Sequence, residues 1–189
     1  MPDYFAILDQ PRRPWLDDAA LKDAFHRATA QQHPDVAGGS GEKASALNAA
    51  YTVLRDPAGR LRHLIELEWP EVASPSAGIA PELGDLFGKI AVLRQAGAAL
   101  AKKEAAAQSP LARALLAGER AGQKSALEGV LAALADGEEA AREELRSINA
   151  SWDSRDKATH GALVALQQRL AFLGKWQAQL REDLFRLGE

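Results

Sequence analysis

The chain has no cysteine, which excludes disulfides, thiolate metal sites and cysteine nucleophiles together and suits a reducing compartment. It has no apolar run of about 18 residues, so nothing in it has the length of a membrane-spanning helix, and no membrane partner is expected. Of its four histidines, His26, His63 and His160 fall in separate segments without the close spacing that metal ligands favour, so no metal and no cofactor is expected. A basic excess is missing too: 23 Lys and Arg face 26 Asp and Glu, for a formal charge of −3. Split at residue 70, both parts are mildly acidic. Neither carries the field that holds a phosphate backbone, and no nucleic-acid partner is expected.

Other chemistries fail on spacing. Gly38-Gly39-Ser40-Gly41 lacks the lysine and the preceding strand of a phosphate-binding loop. Asp17-Asp18 and Glu138-Glu139 are carboxylate pairs that suit helix N-termini through the helix dipole. The opening MPDYFAILDQPRR has no apolar core ahead of a small-residue cleavage site and is not expected to act as a secretory signal; the expected location is cytoplasmic. No enzyme is expected.

What remains is helix. Tyr4, Phe5, Ile7 and Leu8 form a short apolar cluster. Asp17 is placed as an N-cap for a helix whose inner face is Ala20, Leu21, Ala24, Phe25 and Ala28. That helix should end near Gln32, because Pro34 disfavours the α region for His33 and supplies no N–H. Ala44, Leu47, Tyr51 and Leu54 mark a second long helix, and Leu61, Leu64 and Ile65 a third beginning at Pro57. The stretch WPEVASPSAGIAP, 69 to 81, breaks every helical pattern. A domain boundary is expected there, with 1–69 as the first domain, 70–81 as linker and 82–189 as the second. Beyond it, Leu83, Leu86, Ile90, Leu93 and Leu100 line one helix. Leu163, Leu166, Leu170, Leu173, Trp176, Leu180, Leu184 and Leu187 line a long terminal one. Ser109-Pro110 and Asp136-Gly137 read as breaks, giving intermediate helices over 111–135 and 138–150. An all-α chain follows: a helical hairpin joined to an antiparallel bundle.

His33-Pro34-Asp35 sits at the turn between the two long N-terminal helices, where proline fixes the geometry and an imidazole and a carboxylate are left for a partner. DYFAILDQP at 3–11, LDDAALKDAF at 16–25, QQHPD at 31–35 and LNAAYTVLRDPAGRLRHLIEL at 47–67 resemble the J-domain, and within it the HscB-type iron–sulfur-cluster co-chaperones. The resemblance implies that His33, Pro34 and Asp35 engage the ATPase domain of a DnaK-type, HscA-like chaperone, helped by Lys22 and Arg27 on the preceding helix. Asp17, Asp18 and Asp23 share that helix, so the steering field should be weak.

In the same family the second domain binds the IscU-like scaffold on which clusters are built. LFGKIAVL at 86–93 and LQQRLAFLGKWQAQLREDL at 166–184 resemble its first and last helices, whereas the Ala-rich segment at about 101–150 departs. The client-binding residues carried over are Leu86, Phe87, Ile90 and Phe172. Periodicity puts Leu86 and Ile90 on the core stripe, and Phe87 and Phe172 about 100° round from their seam neighbours, as better candidates for an exposed patch. Trp176, in register with Leu173 and Leu180, is expected in the core. The functional expectation is a co-chaperone that stimulates ATP hydrolysis on its partner and delivers a client. A J-domain protein with another client, and a helical interaction module with an inert HPD turn, stay open.

Overall fold

A computed structural model describes residues 1–31, 41–72, 83–154 and 156–188. Every regular element among them is helical, as expected: α1 (Tyr4–Ile7), α2 (Asp18–Gln31), α3 (Gly41–Arg55), α4 (Pro57–Glu68), α5 (Gly84–Ala106), α6 (Pro110–Ala150) and α7 (Lys157–Gly188). A 3₁₀ turn, Trp152–Ser154, lies between the last two. The expected HPD turn, and most of the expected linker, lie outside the described residues. The chain divides into two compact units, Met1–Ala77 with Ala141–Ala171, and Gly78–Ala140 with Phe172–Glu189.

In the first unit the helix starts follow local chemistry. Asp17 Oδ1 accepts from the Ala20 amide at 2.8 Å, which satisfies one of the donors a helix leaves orphaned at its N-terminus. Asp56 Oδ2 does the same for Gly59 at 2.8 Å, with Pro57 in the first helical position, where its missing N–H costs nothing. Leu21 of α2 is buried in one cluster with Leu47, Ala50 and Leu54 of α3, and Ala24 is buried on the same helix as Leu21. Phe25 stacks on Tyr51 at 4.3 Å between centroids.

α1 has only four residues, too few to hold a helix by propagation alone. It is held from outside. Asp3 Oδ1 accepts from the Phe5 and Ala6 amides at 3.0 and 3.3 Å, while Arg12 donates twice to Asp3 Oδ2, at 2.9 and 2.7 Å. Burial pushes the Asp3 carboxyl up, but the bonds from Arg12 and the two amides outweigh it and hold the group below its ordinary range. The Tyr4 amide donates to Nε2 of buried His63 on α4 at 3.0 Å, and the His63 ring lies 4.6 Å from that of Tyr4 and 5.7 Å from that of Phe5.

Arg60 is the largest fully buried side chain of the core. Its Nε donates to the Pro14 carbonyl at 3.0 Å and a terminal nitrogen to the Leu54 carbonyl at 2.8 Å, joining the loop before α2 to the last turn of α3. Its pKa is lowered to about 10, chiefly by burial; Asp18 and Asp56 oppose the shift and nearby Arg142 contributes to it. It remains a cation at neutral pH, and its charge makes both bonds stronger than neutral ones.

α1 to α4 do not close this core alone. Leu145, Leu163 and Leu166 of α6 and α7 are buried in one cluster with Phe5, Leu61 and Leu64. Buried Trp152, in the turn between α6 and α7, donates from Nε1 to the Arg12 carbonyl at 2.8 Å and meets the edge of Trp69 at 6.0 Å. The Trp15 amide donates to Asn149 Oδ1 at 3.3 Å, and the Arg146 guanidinium lies 4.6 Å over the Trp15 ring. Indole and guanidinium contacts of this kind add to burial.

The second unit is built from α5 and the outer parts of α6 and α7 around Leu83, Ile90, Leu127, Leu134, Leu173 and Leu180. Ser109-Pro110 is a break: α5 ends at Ala106, and Ser109 Oγ accepts from the Ala112 amide at 3.1 Å as α6 begins. Asp136-Gly137 is not, contrary to the sequence expectation, because α6 runs unbroken for 41 residues. A Cβ on Gly137 would stand 3.4 Å from Leu173 Cδ2. That is ordinary van der Waals contact, so the glycine faces α7 without being forced there by space, and packing on either side, at Leu134 and Ala141, outweighs the roughly 1 kcal/mol that an interior glycine costs. Buried Gln177 donates to Glu138 at 2.8 Å and accepts from Arg181 at 3.0 Å.

The Tyr4–His63 bond gives a pH test. Burial holds the His63 pKa below its ordinary value; the charges of Asp3 and Glu66 oppose this shift and that of Arg12 adds to it. The unfolded chain therefore takes up the proton first. Stability should be full above the ordinary histidine range and fall as pH drops through that range toward the folded value. Thermal unfolding between about pH 7 and pH 5 should show this slope in the natural chain and lose most of it in His63→Gln. An identical slope in both would mean that His63 does not titrate on unfolding.

Candidate functional site

The residues carried over for chaperone binding and for client binding fall in different units. On α2, burial of Leu21 and Ala24 and the stacking of Phe25 leave Lys22 and Arg27 exposed, in the company of exposed Asp18, Asp23 and His26. The two cations are thus on the free face of the helix that leads into the HPD segment. Acidic neighbours on the same face cut the long-range attraction they can exert. His33, Pro34 and Asp35 fall between α2 and α3 in the chain and outside the described residues.

In the second unit Phe87 is 40% exposed. It meets the edge of Trp176 at 5.9 Å, and Phe172 lies 6.1 Å from the same indole. Phe87 and Phe172 are therefore joined through Trp176, with Lys175 Nζ 5.7 Å from the indole centroid. Trp176 is half-buried; it bridges the two phenylalanines instead of lying wholly in the core as its register suggested. Leu86 is half-buried beside this patch. Ile90 is fully buried: its side chain belongs to the core with Leu127 and Leu173 and has no surface to offer a client.

Seven residues beyond the Phe87–Trp176 contact on both helices, Arg94 Nε donates to Asp183 at 2.9 Å. α5 and α7 therefore run parallel along one seam. Sequence periodicity placed Phe87 and Phe172 beside the core stripes; it carried no sign that an indole would join them. Among the described residues no three His, Asp or Glu side chains gather to hold a metal, and no helix is long and apolar enough to cross a membrane.

No family model matches the chain. It is 38% identical over 73 residues to the "Co-chaperone protein HscB homolog" of Chromobacterium violaceum, a match covering 34% of this chain and 42% of that one. It is 30% identical over 80 residues to "Co-chaperone protein HscB" of Proteus mirabilis, covering 38% and 46%. A match of 48% over 61 residues is to the "Tetratricopeptide repeat and J domain-containing co-chaperone DNJ1" of Cryptococcus neoformans, covering 32% of this chain and 11% of that one. The chain thus spans less than half the length of these curated relatives. Among solved structures, "Chaperone HscB from Vibrio cholerae" aligns with a TM-score of 0.61 over 98% of this chain and 99% of that one, at 18% identity. The human co-chaperone protein HscB aligns at 0.56 over 96% and 81%, at 16% identity. The chain has the HscB fold. Its sequence likeness is to HscB-type J-domain co-chaperones, as the motifs at 3–11, 31–35 and 47–67 implied.

The partial exposure of the patch separates it energetically from the core. Phe87→Ala combined with Phe172→Ala should lower the unfolding free energy by less than the roughly 3–5 kcal/mol of one buried Phe→Ala, whereas Leu127→Ala, fully buried, should by itself cost about 2–5 kcal/mol. Urea unfolding of the three chains checks this. A loss from the double variant at or above that of one buried Phe→Ala would place the rings in the core.

Proposed function

We propose that the chain is a co-chaperone that stimulates ATP hydrolysis by a DnaK-type, HscA-like chaperone through His33, Pro34 and Asp35, and delivers a client protein, the IscU-like iron–sulfur scaffold. On this reading residues 1–69 act as the J-domain, 70–81 as linker and 82–189 as the client-binding domain, in the cytoplasm. The observation that carries it is the HPD tripeptide between α2 and α3 in a chain with the HscB fold. Proline locks its own φ, so a segment that contains one has less conformational entropy to lose on binding. The chain performs no chemistry of its own in this scheme; bond breaking belongs to the chaperone.

Lys22 and Arg27 assist docking by adding favourable charge to the approach, an effect on association more than on dissociation. At the other end, Phe87, Trp176 and Phe172, with Leu86 beside them, supply large apolar surface with few rotatable bonds, the kind of group that dominates binding at protein interfaces. Lys175 and the Arg94–Asp183 pair lie near or beyond the aromatic patch and suit a polar rim.

Asp35→Asn and His33→Gln are each expected to abolish stimulation of single-turnover ATP hydrolysis on a DnaK-type chaperone while leaving helicity and thermal unfolding nearly unchanged. Full stimulation by either variant contradicts the reading. Stimulation without any scaffold binding assigns the chain another client.

A further inference from the structure

The seam between α5 and α7 continues past the aromatic patch. Beyond the Arg94–Asp183 ion pair it opens into a cleft of about 230 Å³. Gly97, Ala98 and Ala101 give α5 almost no side chain there, Leu93 and Leu187 form the walls, and Leu127 lies among the lining residues at 1% exposure.

Three features define what the cleft can hold. Its polar borders are already bonded within the chain: Gln123 Nε2 donates to the Leu93 carbonyl at 2.7 Å, Arg94 pairs with Asp183 at 2.9 Å, Glu104 pairs with Arg120 at 2.8 Å and Arg186 pairs with Glu182. A charged or strongly polar ligand would have to break one of these bonds to gain its own, which favours an apolar occupant. The volume is that of one side chain, since an apolar cavity of about 150 Å³ already accepts a benzene ring. The position is on the seam that carries the aromatic patch: Phe87 and Ala98 are on one helix, a rise of roughly 16 Å apart.

Resting on the reading of Phe87, Trp176 and Phe172 as the client surface, we infer that the cleft is a second anchor point on that surface, taking one large apolar side chain (Leu, Met or Phe) from the client segment that covers the aromatic patch. A client helix lying along the seam presents residues about eleven apart at this separation. The Arg94–Asp183 pair then lies between the two anchors as a polar contact that sets the register of the segment. Affinity comes from the two apolar ends and alignment from the ion pair.

Filling the cleft tests this without touching the patch. Ala98 and Ala101 are exposed on α5, and leucine is nearly as good a helix former as alanine, so Ala98→Leu with Ala101→Leu should fold with unchanged helicity and an undiminished thermal midpoint. Binding of an IscU-type scaffold protein to the full chain is measured by calorimetry for the natural chain, the filled chain, Ala101→Leu alone, and Phe87→Ala. The expected result is a loss of about tenfold or more in affinity for the filled chain, the scale set by burying one large apolar side chain, a smaller loss for Ala101→Leu alone, and a separate loss for Phe87→Ala. Natural affinity in the filled chain with weakened binding in Phe87→Ala overturns the cleft as an anchor and leaves the client surface standing. Natural affinity in both variants overturns the client surface and the cleft with it, as does the absence of any binding by the natural chain.

Discussion

The buried indole of Trp152 is the contact on which the first unit's arrangement depends. Its Nε1–H reaches the Arg12 carbonyl and its ring meets Trp69, so one side chain in the turn between α6 and α7 touches both the loop after α1 and the end of α4. A buried indole without its acceptor is costly. The loop that carries Arg12 must therefore lie against this turn. The same loop carries Pro14, whose carbonyl is held by Arg60, and Trp15, whose amide is held by Asn149. The four N-terminal helices share one core with Leu145, Leu163 and Leu166.

Within that core the polar groups fix which surfaces are left outside. His63 and Asp3 take up the amides at the start of α1, and Arg60 takes up a carbonyl at the end of α3. Ends of helices are where backbone groups lack partners, and buried ends need such side chains. With α2 and α3 locked by Phe25 on Tyr51, the exposed face of α2 is left for Lys22 and Arg27. In the second unit the equivalent choice is made by the seam: Leu173 and Leu180 turn inward, and the positions beside them leave Phe172, Trp176 and Phe87 as a partly exposed aromatic row.

Much of this is legible in the amino-acid sequence because helix signals are local. Asp17 and Asp56-Pro57 mark helix starts through backbone chemistry at their own positions, and apolar steps of three and four mark the buried faces. Gly137 misleads for the opposite reason. It faces Leu173, distant in sequence, and a glycine that reads as a break stays inside an unbroken helix because the residues on either side are packed. Ile90 and Leu86 share one stripe in sequence, yet only the packed structure separates the fully buried residue from the half-buried one. Arg60 and Gln177 read as surface residues by type, and nothing near them in sequence reveals the carbonyls and carboxylate that hold them inside. Likewise the Trp176 bridge and the α5–α7 cleft need two helices to be laid side by side. Sharing of α6 and α7 between two cores follows from no periodicity, because a continuous apolar stripe does not say what covers each part of it.

On the proposed reading the chain holds a chaperone and a client on one scaffold, which raises the local concentration of each for the other without any new contact. The most direct measurement is single-turnover ATP hydrolysis by a DnaK-type chaperone with the full chain alone, with an IscU-type scaffold alone, and with both, each at sub-saturating concentration. The account predicts that the two together accelerate hydrolysis by more than the sum of their separate effects. Strict additivity, with both proteins shown to be bound, would contradict it.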